Sequence, residues 1–241
     1  MGTARSGFRS QTGIRTLIAT APQRLYGRRK GRPLRTRKAR LMEDWLPKLQ
    51  IALPEKGTLD PHTLFPSKPR TIWLEIGFGG GEHLAARAKQ HPDIGFIGAE
   101  PFLNGIASLL VPIEDQRLAN IRIFPDDARV LLDALPEGSI SRCFLLFPDP
   151  WPKARHAKRR FIGPENIARL ARALCPGGEL RLATDDPKLA LWMREHMEAS
   201  ENFAPHFGPS GEPPPDWIST RYERKALKAS RKPVYSDYRR R

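Results

Sequence analysis

Four acidic positions of this 241-residue chain each close a short apolar run: Glu75 after Ile72-Trp73-Leu74, Glu100 after Phe96-Ile97-Gly98-Ala99, Asp126-Asp127 after Ile121 to Phe124, and Asp149 after Leu145-Leu146-Phe147-Pro148. If the runs are parallel strands, these carboxylates gather outside the strand ends, where open α/β sheets bind ligands. Each acid taken singly also suits a helix cap or a solvated charge, so the pattern carries the weight. The first run leads into Gly77-Phe78-Gly79-Gly80-Gly81-Glu82, whose side-chain-free positions let a ligand approach the backbone. A dinucleotide loop needs a small residue where Glu82 stands, and that charge would face a pyrophosphate. An adenosyl ligand without phosphates, such as S-adenosylmethionine, meets no such conflict. Its cationic groups would be drawn to Glu75, its ribose hydroxyls to Glu100 and its adenine amino group to Asp127.

The elements that must position these groups follow from periodicity. Segments 71–76, 94–100, 120–124, 141–147 and 179–184 read as strands, and 82–91, 103–117, 127–135, 164–174 and 187–200 as helices. This alternation predicts a Rossmann-like, doubly wound, mostly parallel α/β sheet preceded by a basic N-terminal arm. A short helix is expected over 39–46, ended or kinked by Pro47, and then a proline-rich connector. Apolar pieces around Phe203 and Trp217 are candidate edge strands. The expected division is a flexible RNA-binding arm over 1–42, then one catalytic domain over 43–241 with a basic C-terminal tail.

Charge is divided along the chain. The net +15 resolves into +12 for residues 1–42 and +7 for 221–241, leaving −4 for the body between. The ends therefore invite a polyanion. An Arg-rich, acid-free leader also fits an organelle transit peptide, but the Gly- and Pro-broken run 26–35 makes a poor amphipathic import helix. No window carries the eighteen or so uninterrupted apolar residues of a membrane span. Two cysteines, Cys143 and Cys175, are too few for a disulfide framework and lack metal-ligand spacing. Free thiols in the cytoplasm, with no metal, are expected.

The fourth run ends in Phe147-Pro148-Asp149-Pro150-Trp151-Pro152-Lys153, where the prolines should push Phe147 and Asp149 toward extended geometry and present Asp149 rigidly. Phe147 or Trp151 could stack on a nucleobase. Arg155, His156, Lys158, Arg159 and Arg160 follow at once, as either a solvated face or a clamp for RNA phosphates.

These motifs, with Gly98-Ala99-Glu100, Ala183-Thr184-Asp185 and Thr220-Arg221-Tyr222-Glu223, resemble the bacterial tRNA (guanine-N7-)-methyltransferases, class I enzymes that use S-adenosylmethionine. The likeness runs over most of 26–225. It implies methyl transfer to N7 of the guanine at variable-loop position 46 of tRNA. It also implies a cofactor site of Glu75, Gly77, Gly79, Glu100, Asp127 and Asp149, with Asp149 catalytic, and tRNA contacts from Lys153, Asp185, Thr220, Arg221, Tyr222 and Glu223. Tyr222 stands where the family pattern has phenylalanine, which keeps the aromatic face and adds a hydroxyl. Family members are monomers or homodimers. The rival readings are a methyltransferase for an exocyclic base amine, a non-enzymatic RNA-binding factor and a nicotinamide reductase.

Overall fold

The computed structural model describes residues 27–241, so the outer arm, residues 1–26, lies outside the described residues. Eight helices and seven strands follow in chain order: α1 (Thr36–Asp44), α2 (Leu46–Leu49), β1 (Ile72–Ile76), α3 (Glu82–Gln90), β2 (Gly95–Ala99), α4 (Leu103–Gln116), β3 (Ile121–Phe124), α5 (Ala128–Ala134), β4 (Ile140–Leu146), α6 (Pro164–Ala173), β5 (Leu174–Thr184), α7 (Pro187–Glu198), β6 (Phe203–Ser210), α8 (Arg221–Lys228) and β7 (Val234–Arg240). The expected strands and helices of the body are all present; most ends move by one or two residues, while β5 starts at Leu174, five residues before the expected 179.

The strands form one sheet in the order β3-β2-β1-β4-β5-β7-β6. The first five are parallel, and β7 runs antiparallel to both β5 and β6. Short β-branched and aliphatic runs suit strands covered on both faces. One face packs against α5, α6 and α7 through Leu131, Leu170 and Met193. The other packs against α1, α3 and α4 through Leu41, Leu84 and Leu109. Register then aligns the strand tips, because Ile76 pairs with Ala99 and with Leu145, Ala99 with Phe124, and Leu146 with Ala183. The chain leaves all of these strands on the same edge, which brings Glu100, Asp127 and Asp149 around one cavity.

Two expectations need correction. The first concerns the arm, whose expected boundary at 42 falls inside α1. That helix starts at Thr36, breaks at Trp45, and Pro47 sits in the first turn of α2 instead of ending the helix. Leu41 is fully buried. Arg37 and Arg40 pair with Glu114 at 2.9 and 2.6 Å, so part of the arm's charge docks α1 on α4. Ahead of α1, the Arg29 carbonyl accepts from Leu103 N at 2.9 Å and the Gly31 N–H donates to Asn104 Oδ1 at 2.7 Å.

The second concerns the basic C-terminal segment, which is no tail. Residues 221–240 supply α8 and a strand paired on both sides. Composition hid β7 because Asp237 looks like a surface residue. It is buried, and it receives Arg181 Nε and Nη2 at 2.8 and 2.6 Å from the facing position of β5. The piece around Phe203 is indeed the edge strand β6, whereas Trp217 lies in a loop.

Because α1 belongs to the packed body, Leu41→Ala should cost about 2–5 kcal/mol, the range for truncating a buried leucine. Urea unfolding at neutral pH measures it. A loss below about 0.5 kcal/mol, the usual surface value, would return α1 to the arm.

Candidate active site

The loop after β1 turns through Gly77, Gly79 and Gly81 at φ 69°, 56° and 78°, a region that costs glycine nothing. Gly77 N donates to Ala99 O at 2.8 Å, tying the turn to β2. At Gly79 space matters as well as conformation, since a Cβ there would lie 2.9 Å from the Tyr222 ring. The N-terminus of α3, where a dinucleotide fold holds pyrophosphate, carries Glu82 paired with Arg221 Nε at 2.6 Å. Glu82 and Arg221 offset each other there, so the helix end offers no net cation to a pyrophosphate.

Glu100, just past β2, is 7% exposed and ties two loops together. Gly79 N donates to its Oε2 at 2.8 Å and Phe102 N to its Oε1 at 2.9 Å. Burial pushes its carboxyl above the usual glutamate range. The nearby charges of Asp149 and Glu75 push the same way, against the two N–H bonds. Asp127 caps α5 by accepting from Arg129 N at 3.0 Å, and the Arg129 side chain holds both of its oxygens. Asp149 is exposed between its prolines.

The flanking geometry differs from the extended form expected of a residue before proline. Phe147 lies at φ 53° and Trp151 at φ 43°, each costing about 1–3 kcal/mol that surrounding bonds must offset. Phe147 N donates to Ala183 O at 2.7 Å. Arg160 Nε donates to Pro150 O at 3.1 Å and its Nη2 to Trp151 O at 3.3 Å. The Arg159 guanidinium stacks over the Trp151 ring at 4.8 Å. Arg159 and Arg160 therefore shape the loop, while Lys153, Arg155 and Lys158 remain at the surface.

These tips surround a cavity of about 590 Å³ whose lining includes Gly77, Gly79, Glu100, Asp127, Asp149 and Tyr222. Glu75 is not part of that lining. It lies beneath the loop, where His83 Nδ1 contacts its Oε2 at 2.7 Å. Arg87 Nε contacts His83 Nε2 at 3.3 Å, and arginine can only donate, so His83 carries its proton on Nδ1 and gives it to Glu75. Lys153, Asp185, Thr220 and Glu223 also stand outside the lining. Asp185 pairs with Arg231 at 2.6 Å. Thr220 caps α8 by accepting from Glu223 N at 3.0 Å, and the buried Glu223 accepts from Tyr235 Oη. Of the 220–223 segment, only Arg221 and Tyr222 reach the Gly79-Gly80 turn.

The sequence reading missed the groups that hold that segment. Arg87 donates to Asp216 O at 2.6 Å, and the Asp216 carboxylate receives Arg142 at 3.0 Å and Arg181 at 2.7 Å. These partners are 35 to 129 residues from Asp216 in sequence, so no local spacing could announce them. From the basic run 26–35, Arg28 lines the cavity, and Arg29 pairs with Asp126 at 2.9 Å. Among the described residues no group of three or more His, Cys, Asp or Glu could hold a metal, and no helix is long and apolar enough to cross a membrane.

A sheet ordered 3-2-1-4-5-7-6 with β7 reversed, and a strand-tip acid that accepts from a glycine turn, define a class I S-adenosylmethionine-dependent methyltransferase. The methyltransferase family Methyltransf_4 matches residues 69–235. The tRNA (guanine-N(7)-)-methyltransferase of Paramagnetospirillum magneticum is 51% identical over 222 residues, covering 90% of this chain and 93% of its own. That of Rhodospirillum rubrum is 49% identical over 228 residues, covering 92% and 89%. In fold, the chain is similar to the 16S rRNA methyltransferase KamB, with a TM-score of 0.56, 13% identity and coverage of 77% of this chain and 95% of that one. The chain belongs to the tRNA (guanine-N(7)-)-methyltransferase family.

Asp216 sets a pH dependence of stability. Burial pushes its carboxyl up, but the Arg181 hydrogen bond and the charges of Arg142, Arg181 and Arg87 outweigh this and hold it far below the usual aspartate range. A depressed folded value means stability that is present above the unfolded value of about 3.9 and is lost as pH falls. Asp216→Asn should therefore cost about 1 kcal/mol at pH 7, below the full range for hydrogen bonds to a charged group because the Asp216 side chain is partly exposed and screened. The gap from the parent should narrow below about pH 4. Urea unfolding over a pH series measures both, and a gap independent of pH would refute the assignment.

Proposed function

We propose that the chain transfers the methyl group of S-adenosylmethionine to N7 of guanine in tRNA, at variable-loop position 46, in the cytoplasm. The observation that carries this reading is Asp149, exposed on a strained, proline-framed loop at the rim of the cavity that Glu100 lines. The cavity's residues fit the cofactor. Glu100 retains lone pairs for ribose hydroxyls beyond its two backbone bonds, and Asp127 can accept from an adenine amino group. Gly77 and Gly79 leave the backbone open to close approach. Glu75 acts from below, through the loop and His83.

S-adenosylmethionine, when bound, supplies an electrophilic methyl group on sulfonium. Guanine N7 carries an in-plane lone pair and no proton, so no general base is needed and positioning dominates. Asp149 accepts from guanine N1 and N2 and faces the cationic product. Trp151, held by Arg159, is placed to stack on the base. Tyr222 closes the Gly79 side, while Thr220 and Glu223 hold α8 in place for it. Lys153 and Arg221 serve the tRNA backbone, and Asp185 acts through its Arg231 partner.

Tritiated methyl transfer to undermodified tRNA, followed by mapping of the labelled nucleoside, tests the reading. Label on an exocyclic amine or on another nucleotide would overturn it. Asp149→Asn should lower the single-turnover rate at saturating substrates by at least about ten-fold, with smaller changes in cofactor binding. The parent rate should show no base-limited rise between about pH 6 and 8; a tenfold increase per pH unit there would instead restore a general base. Cofactor affinity should have its own pH dependence. Ribose hydroxyls donate to the ionised Glu100, so S-adenosylmethionine should bind best above the raised carboxyl value and more weakly as pH falls through it. Glu100→Gln should weaken binding about ten-fold and abolish that dependence, as read by isothermal titration.

A further inference from the structure

Beside the active site lies a second cavity of about 370 Å³, walled by Pro33, Leu34, Arg35 and Lys38, the Gly79-Gly80 turn, and the starts of α4 and α8. It shares Gly79, Phe102 and Tyr222 with the first. The two differ in charge. Glu100, Asp127 and Asp149 line the first, whereas the lining of the second has no carboxylate and three basic residues, Arg35, Lys38 and Arg221. Arg221 is neutralised by Glu82. Among the described residues, Lys38 Nζ spends one of its three hydrogens on Ser108 Oγ at 2.8 Å and meets no acid. Arg35 caps α1 only by position, and its guanidinium has no partner among the described residues. Two uncompensated cations thus face one concavity.

The fold also anchors the backbone that leads into them. Asn104 at the start of α4 accepts from Gly31 N and donates to Arg32 O, both at 2.7 Å, fixing the chain just before Arg35. A backbone ordered in advance lowers the cost of gathering the two cations on an anion. A guanidinium fork can take two non-bridging oxygens, and an ammonium adds a point charge.

We propose that this cavity is a phosphate subsite for the RNA strand, holding the phosphodiester next to the target guanosine across the wall of Phe102 and Tyr222. The inference rests on the tRNA reading above. It divides the labour: the acidic cavity takes a sulfonium ligand that has no phosphate, and the basic cavity takes the backbone of the nucleotide presented to it.

The test uses the full chain with undermodified tRNA. In Arg35→Ala and in Arg35→Ala/Lys38→Met, the slope of log binding constant against log salt should flatten by roughly 0.7–0.9 for the one phosphate lost, with S-adenosylmethionine affinity unchanged. Ethylation of single phosphates should weaken binding to the parent at a site adjoining the acceptor guanosine, and the double variant should be insensitive there. An unchanged slope, or equal sensitivity of parent and variant at that phosphate, would overturn the subsite. So would loss of S-adenosylmethionine affinity in Arg35→Ala with unaltered urea unfolding, which would give the cavity to the cofactor's carboxylate. A parent that binds tRNA without methylating guanine N7 would defeat the function of the preceding section, while slope and ethylation pattern would still decide the subsite.

Discussion

Glu100 receives one backbone N–H on each carboxylate oxygen, from Gly79 on one loop and Phe102 on another. The site's geometry depends on that bridge. It holds the glycine turn against the start of α4, and Gly105 of α4 is pressed so closely to Gly79 O that a Cβ would lie 2.2 Å away. With the turn so placed, Tyr222 can rest on Gly79. A charged acceptor is suited to the task, because hydrogen bonds to carboxylates are stronger than neutral ones. Desolvation is the cost, and the raised carboxyl value records it.

A second bridge works at longer range. Asp216 collects Arg87, Arg142 and Arg181 from α3, β4 and β5 and so pins the loop that leads into α8. Arg87 also reaches His83 and through it Glu75, which puts the acid at the tip of β1 in one buried polar chain with the loop ahead of Tyr222. Removing one member of such a chain leaves buried charge unpaired, so the network enforces a specific arrangement more than it adds net stability.

The chain's basicity serves two ends. Arg37, Arg40, Arg159, Arg160 and Arg181 are consumed by ion pairs, stacking or backbone carbonyls, so they organise the fold. Arg35, Lys153, Arg155 and Lys158 stay exposed. Net charge alone does not separate the two groups. What separates them is whether an acid or a carbonyl lies opposite in the folded chain.

The strands β1 to β5, their helices and the tip positions of Glu100, Asp127 and Asp149 were legible because hydrophobic period, turn residues and carboxylate placement are all local properties of the chain. The places of β7, Glu75 and Phe147 were decided by tertiary structure. Asp237 can be buried in β7 only because Arg181 faces it, Glu75 turns from the cavity because His83 lies beside it, and Phe147 keeps a positive φ because Ala183 and Arg160 hold the loop. In each case the deciding partner is distant in sequence or on another element, and whether a charge is satisfied or a strained backbone is offset depends on that partner, which the local pattern does not specify.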